Sequence, residues 1–167
     1  MNTKTKLIVI AALMAALTCI ATMIIMIPSP LKGYLNLGDC IVLTTGWLLS
    51  PAYGFLAAGI GSALADVFSG YVMYAPATFL IKGLMAVLAG RLYKLFSKKL
   101  GNLSSWAVSG TAAEILMITG YFIFEGCMYG WIPSAVNIPA NGIQGIANLI
   151  IGIVLIKTFH QTKTLLQ

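Results

Sequence analysis

The sequence predicts an all-α integral membrane protein with six transmembrane helices and both termini in the cytoplasm. Of its 167 residues, 59% are hydrophobic and 8% are charged, and the mean hydropathy is +0.94. Soluble domains carry roughly a quarter charged residues, so the apolar excess has to face lipid. A spanning helix needs about 20 apolar residues, so about six fit and the chain, residues 1–167, is expected to form a single domain.

Six apolar segments follow one another along the chain. We expect spans at about residues 6–27, 39–49, 52–68, 77–96, 105–124 and 140–159. Pro28 and Pro30 end the first span, and Ser50-Pro51 separates the short second span from the third. The other connections are a basic inner connector and three outer loops, at residues 97–104, 29–38, 69–76 and 125–139. The first span is longer than a signal-peptide apolar region and no clear cleavage site follows it, so we expect it to be retained.

The placement of lysine and arginine predicts the orientation. With six spans, eight of the ten basic residues fall on one side of the membrane. They are Lys4, Lys6, Arg91, Lys94, Lys98, Lys99, Lys157 and Lys163. Cytoplasmic loops are rich in lysine and arginine, so that side is the cytoplasm and the three longer loops lie outside. This pattern also explains the net charge of +6 and excludes a nucleic-acid partner, which needs a basic face.

Ionisable residues concentrate toward the predicted outer side. Asp39 and Asp66 lie at the outer ends of spans two and three, Glu125 in the third outer loop, and Glu114 about halfway along span five. Lys82 lies roughly 8 Å deep in span four, at 1.5 Å per residue. Charges inside a membrane are costly and usually pair or line a cavity. Lys82 therefore extends to the interface, pairs with Asp66 or Glu114, or contacts a ligand; these alternatives stay open.

Four amide side chains share one face of the last span. Asn137, Asn141, Gln144 and Asn148 are spaced by four, three and four residues. Such amides either hydrogen-bond neighbouring helices or contact a ligand, and the two roles are compatible. Because amides donate and accept, the stripe suits a neutral heterocycle with mixed polar groups. We favour ligand contact for Asn141 and Gln144.

Tyrosines gather at the same side of the membrane. Tyr71 and Tyr129 are typical of the interfacial aromatic belt. Tyr74, in the second outer loop, and Tyr121, two turns from Glu114, are expected to stack on a flat ring. The inner half has no comparable polar cluster, which a conduit requires. The sequence therefore predicts a cup that is open to the outside and binds a small molecule.

Small residues form a second feature, on span one. Ala11 and Ala15, like Ala12 and Ala16, form overlapping small-xxx-small pairs that allow close approach of another helix, within this chain or from a partner.

No metal site, cofactor or catalytic centre is expected. The cysteines Cys19, Cys40 and Cys127 are isolated, and His160 is the single histidine. The chain also lacks the glycine-rich phosphate loop of ATPases.

Three stretches, residues 34–39, 59–66 and 74–83, give the sequence a family resemblance. In this order they resemble the substrate-binding S components of energy-coupling factor (ECF) vitamin transporters, in the riboflavin-type branch. The resemblance implies six helices, a ligand site near the outer surface and a location in the bacterial plasma membrane. It also implies that the alanine-rich first helix docks on a transmembrane T component driven by two cytosolic ATPase subunits. The chain itself would then be no enzyme.

The resemblance also implies a substrate class. Carriers of this branch take hydroxymethylpyrimidine, a thiamine precursor, or pyridoxine-like B6 vitamers, and the polar groups suit such one-ring compounds; riboflavin is larger and stays an alternative. The candidate substrate-binding residues are Asn36, Asp39, Tyr74, Lys82, Glu114, Tyr121, Asn141 and Gln144. The candidate docking residues are Ala11, Ala12, Ala15 and Ala16.

Two other functions compete with this interpretation. In a self-sufficient ion-coupled carrier, Glu114 and Lys82 would relay protons, but no inverted repeat is visible. An integral-membrane enzyme acting on lipid would need a nucleophile or metal constellation, which a single histidine disfavours.

Overall fold

A computed structural model of the protein describes residues 2–29 and 33–165, most of which are helical. The elements are α1 (Thr3–Ile24), β1 (Met26–Pro28), β2 (Tyr34–Asn36), α2 (Gly38–Leu48), α3 (Pro51–Phe68), α4 (Ala75–Tyr129), α5 (Trp131–Val136) and α6 (Ile138–Leu165). Pro30 and Lys32 of the first predicted loop lie outside the described residues, as do the side chains of His160 and Lys163.

Several helices are long and apolar enough to cross a bilayer, which confirms the predicted class. Within the described residues these segments are Lys4–Ile24, Pro51–Phe68, Ala75–Tyr129 and Trp131–Phe159. By contrast, α2 has 11 residues and rises about 16 Å, which is less than a hydrocarbon core of about 30 Å. Most of its side chains are buried, so α2 is a short central helix surrounded by the longer ones.

Helix α4 is a hairpin of two helical arms. Gly101 has φ 73° and ψ 171°, a left-handed backbone conformation that interrupts the 55-residue segment and favours glycine. The first arm is residues 75–100 and the second arm is residues 102–129. Near the turn, Tyr93 stacks on Trp106 with ring centroids 5.8 Å apart, and at the far end Tyr74 contacts Phe124 at 5.2 Å. The arms therefore run antiparallel.

The two arms agree with predicted spans four and five, but the predicted connector at residues 97–104 is wrong. Helix continues on both sides of Gly101, so the connection is a single non-helical residue. Lysines, which we interpreted as loop residues, are good helix formers and extend the arms beyond the apolar segment.

The predicted outer loop at residues 125–139 is also wrong. Helix α4 continues through Glu125 to Tyr129, and α5 and α6 follow with only Gly130 and Asn137 between them. Pro133 and Pro139, which fall within the predicted loop, lie in the first turns of α5 and α6, where a missing N–H costs no helical hydrogen bond.

A short antiparallel hairpin occupies the first connection, where we expected an irregular loop. Strands β1 and β2 pair Met26 with Asn36 and Pro28 with Tyr34. Three-residue strands are too short for the alternation by which strands are recognised in a sequence. The hairpin fixes Tyr34 and Asn36 beside the start of α2.

Glycines and alanines allow close packing around α2 and between α1 and α3. Gly46 lies against the backbone of Ala86 on the first arm of α4, and Gly61 of α3 lies against the backbone of Ala15, so a Cβ at either glycine would collide. Trp47 fills the centre of the main apolar cluster and donates its indole N–H to Ser109 Oγ at 3.0 Å. These contacts pack α2 against the first and second arms of α4, and α1 against α3.

Candidate functional site

Polar side chains from α1, β2, α3, both arms of α4, and α6 surround a cavity at one end of the bundle. The space open to the centre of a water-sized sphere is about 30 Å³, room for about two water molecules. Six of the eight candidate substrate-binding residues line it, namely Asn36, Tyr74, Lys82, Tyr121, Asn141 and Gln144. The cavity thus brings together residues that lie more than a hundred positions apart in the sequence.

A buried ion pair lies at this cavity. Lys82 Nζ contacts Asp39 Oδ1 at 2.5 Å, and the two side chains are 3% and 1% exposed. Gln144 Nε2 donates to Asp39 Oδ2 at 2.7 Å, so both carboxylate oxygens are satisfied. Of the alternatives for Lys82, pairing with Asp66 or Glu114 is wrong, and so is extension to the interface. The partner is Asp39, and Lys82 still faces the cavity.

The amide side chains of α6 have two roles: they bond neighbouring segments and they line the cavity. Gln144 Oε1 accepts from the Asn36 backbone N–H at 2.9 Å, and Asn148 bridges Cys40 N and Asn36 O at 2.9 and 2.8 Å. These bonds hold β2 and the start of α2 against α6, as expected for amides between membrane segments. Asn141, 9% exposed, lines the cavity, as does Gln144.

Two further acids, Asp66 and Glu125, line the cavity and are absent from the predicted site. Tyr34 donates its hydroxyl proton to Asp66 Oδ1 at 2.5 Å. Glu125 accepts from Asn137 Nδ2, at 3.0 Å to each oxygen, and from the Tyr74 hydroxyl at 3.4 Å. Spacing was the signal that could have found them, because Asp66 lies one turn after Ser62 and Glu125 one turn after Tyr121, both of which line the cavity.

Hydroxyl groups and aromatic rings complete the lining. The Thr78 hydroxyl lies 3.0 Å from the Tyr121 hydroxyl, and Lys82 Nζ lies 5.2 Å from the centre of the Tyr121 ring. Tyr71, which we assigned to the interfacial belt, packs on Tyr34 with centroids 4.6 Å apart. Burial, and then the neighbouring Asp66, raises the pKa of the Tyr34 hydroxyl, which therefore stays protonated as a donor.

Glu114 does not line the cavity. It is 5% exposed, neither carboxylate oxygen has a hydrogen-bond partner, and it borders an apolar groove between the second arm of α4 and α6. Gly145 of α6 lies directly against it. Of the candidate site residues, Glu114 therefore lies apart from those that surround the cavity.

The four candidate docking alanines border a second groove, between α1 and α3. This groove is apolar and has about 620 Å³ open to the centre of a water-sized sphere. Ala12 and Ala16 are exposed, whereas Ala11 and Ala15 are half-buried and pack against α3. Within the described residues, no group of three histidine, cysteine, aspartate or glutamate side chains is placed to hold a metal ion.

Comparisons with known proteins give one consistent family. The family model described as "ECF-type riboflavin transporter, S component" matches residues 2–161. An uncharacterized protein from Pyrococcus woesei is 34% identical over 134 residues, 80% of this chain and 87% of the relative. The "Thiamine precursor transporter HmpT" of Lactococcus lactis subsp. cremoris is 26% identical over 167 residues, 98% of this chain and 93% of the relative.

A solved structure shares the fold. It is described as "Structure and mechanism of the S component of a bacterial ECF transporter" and matches with a TM-score of 0.74 at 21% identity. The match covers 96% of this chain and 98% of the other. At 21% identity, the match supports a shared arrangement of the helices and nothing more.

Proposed function

Because the chain belongs to the family of ECF-type riboflavin transporter S components, membrane proteins of vitamin uptake, we propose that its cavity binds hydroxymethylpyrimidine or a pyridoxine-like B6 vitamer. The relative named as a thiamine precursor transporter aligns with 98% of the chain and supports the first of these. Riboflavin stays the alternative because the family model carries its name.

The buried polar network at the cavity is the observation that carries this proposal. An ammonium and a carboxylate inside a membrane protein cost several kcal/mol each to desolvate, and sequences keep such groups mainly at functional positions. Here Lys82, Asn141 and Gln144 all face one small cavity, where they offer donors and acceptors to a polar ring. Stacking on Tyr121 or Tyr74 would hold the ring by its face.

The size of the cavity favours a one-ring compound. Room for about two water molecules is less than any vitamin needs, so the lining has to move outward when a ligand binds. The shortest secondary-structure elements around the cavity are the three-residue strands of the hairpin, which carries Tyr34 and Asn36. A single ring requires less movement than the three fused rings of riboflavin.

We also propose six membrane crossings with both termini in the cytoplasm of a bacterial cell, and a single unit over residues 1–167. The two arms of α4 support separate fourth and fifth crossings, and α2 supplies a short one. The cavity then lies on the outer side, where α1 and α3 end and α4 begins. Substrate reaches it from outside the cell.

Transport by this chain would depend on partners. We propose that a transmembrane T component docks on the groove between α1 and α3, and that two cytosolic ATPase subunits hydrolyse ATP. The exposed faces of Ala12 and Ala16 support this docking site, because small residues allow a partner helix to approach closely. Ala11 and Ala15 contribute mainly to packing inside the chain.

Calorimetry on the purified chain tests the binding proposal. We expect hydroxymethylpyrimidine or pyridoxine to bind with nanomolar to micromolar affinity, and riboflavin more weakly. Asn141→Leu removes polar groups from the cavity and should weaken binding roughly tenfold or more, the cost of about one lost hydrogen bond with its desolvation. If none of the three compounds binds, or if Asn141→Leu leaves the affinity unchanged, the assignment of the cavity is wrong.

A further inference from the structure

Three residues that line the cavity have side-chain oxygens without a hydrogen-bond partner. Asp66 Oδ2, Ser62 Oγ and Thr22 Oγ1 are buried and make no hydrogen bond in the structure, and all three residues line the cavity. Their side chains are at most 3% exposed. A buried polar atom without a partner costs roughly 1–3 kcal/mol, so these atoms are expected to meet a polar group of the ligand.

Oδ2 is the oxygen of Asp66 that lacks a hydrogen-bond partner. Tyr34 already donates to Oδ1, and Thr78, which lies beside Asp66, has its hydroxyl 3.0 Å from the Tyr121 hydroxyl. The free oxygen of an ionised carboxylate accepts hydrogen bonds and donates none. A ligand that meets Oδ2 therefore has to present an N–H or O–H group to it.

Ser62 and Asp66 lie four residues apart on α3 and share one face of that helix. An amino group carries two N–H bonds and can donate one to each of these residues. A single hydroxyl has one proton, so it can donate to Asp66 alone and engages Ser62 only by accepting the proton of the serine. Of the two groups, only an amino group donates to both residues at once.

The formal charges around the cavity disfavour a ligand that carries a negative charge. The ionisable lining residues are Asp66, Glu125, Lys82, Tyr34, Tyr74 and Tyr121, and Asp39 lies behind them. Lys82 is neutralised by Asp39, and Glu125 receives neutral donors only. No described lining residue supplies a positive charge beyond that of Lys82, which Asp39 neutralises, so an anionic group of the ligand would find no unpaired positive charge and would be repelled by Asp66 and Glu125.

We propose that Asp66, with Ser62, selects an unphosphorylated one-ring heterocycle carrying an exocyclic amino group, and that the cavity rejects phosphate esters. This inference rests on the proposed function and deepens it, because it favours an aminopyrimidine over a hydroxypyridine. Asp66 Oδ2 accepts one N–H of the amino group, and Ser62 Oγ accepts the other.

Calorimetry with a set of matched ligands tests this on the purified full chain. The ligands are 4-amino-5-hydroxymethyl-2-methylpyrimidine, its analogue with hydrogen in place of the amino group, its phosphate ester, and pyridoxine. Loss of a hydrogen bond to a charged acceptor should weaken binding of the analogue roughly ten- to hundredfold. Like charges should weaken binding of the ester by roughly a hundredfold or more.

Asp66→Asn provides the protein side of a double-mutant cycle. It should weaken binding of the amino compound roughly tenfold or more and change binding of the hydrogen analogue by less than about threefold. Equal losses for both ligands would reduce Asp66 to a structural role and overturn the inference. If Asp66→Asn fails to fold, as judged by gel filtration and thermal unfolding, Ser62→Ala and the ligand set on the unaltered chain decide the question.

The outcomes separate this inference from the proposed function. If the chain binds pyridoxine or riboflavin more tightly than the aminopyrimidine, the vitamin-binding role stands and the selection by Asp66 is wrong. Equal affinity for the amino compound and its hydrogen analogue, or tight binding of the ester, also overturns the selection. If no compound binds, the proposed function itself fails.

Discussion

At the scale of single residues, the Asp39–Lys82 pair explains how this protein keeps charges inside a membrane. Each side chain is almost completely buried, and Gln144 satisfies the second oxygen of Asp39. Desolvation of both charges is offset by their mutual attraction and by these hydrogen bonds. Removal of one partner alone leaves an uncompensated charge, whereas removal of both does not.

Lys82→Met should therefore destabilise the protein by about 3–5 kcal/mol and weaken ligand binding, because Asp39 loses its counter-charge. The double variant Asp39→Asn with Lys82→Met should recover most of the lost stability without recovering affinity. Thermal unfolding in detergent and calorimetry measure the two effects. A double variant as unstable as Lys82→Met would show that the pair is not the reason for the loss.

The residue types of the site could be predicted from the sequence, but their pairings could not. Helical spacing identified Asn141 and Gln144, since both lie on one face of a single helix. The partner of Lys82 depends on how α2 lies between α4 and α6, which no local pattern encodes. Asp66 was seen as an outer acid, yet its hydrogen bond from Tyr34 depends on where the hairpin lies.

At the scale of elements, the length of the apolar segments predicted the helices but did not predict the connections between them. The spans at 39–49 and 52–68 agree closely with α2 and α3, because Pro51 marks the boundary between them and polar composition marks their outer ends. Residues 97–104 were predicted as a basic connector and residues 125–139 as an outer loop. In the structure lysines extend helices and prolines begin them, so polarity alone does not locate a turn.

The groove between α1 and α3 gives the prediction at this scale. Ala12→Trp or Ala16→Trp should leave ligand affinity within about twofold and reduce transport roughly tenfold or more, because a bulky ring prevents a partner helix from packing closely. Leu13→Trp is the matched control, since Leu13 lies on the same helix, is 57% exposed and does not border the groove. Binding is measured by calorimetry and transport by uptake of labelled substrate.

Normal uptake with both alanine variants would remove the docking proposal. Equal loss with Leu13→Trp would show that any bulky substitution on α1 disturbs the protein in the membrane. Either result leaves the cavity and its ligand unaffected, because the alanines lie on another side of the bundle.

At the scale of the whole molecule, the polar and apolar features occupy separate places. The cavity lies where α1 and α3 end and α4 begins, whereas the groove between α1 and α3 is apolar. Such an arrangement fits a subunit that captures a molecule on one surface and leaves energy supply to other proteins. Glu114 is buried between the second arm of α4 and α6, outside the cavity, and its role as a candidate substrate-binding residue is untested.

The measurement that tests this account most directly is uptake of labelled hydroxymethylpyrimidine into liposomes that contain the chain alone or with its T component and ATPases. We predict that the substrate accumulates unmodified only when all partners and ATP are present. Accumulation by the chain alone, driven by a proton gradient, would contradict the account and identify a self-sufficient carrier.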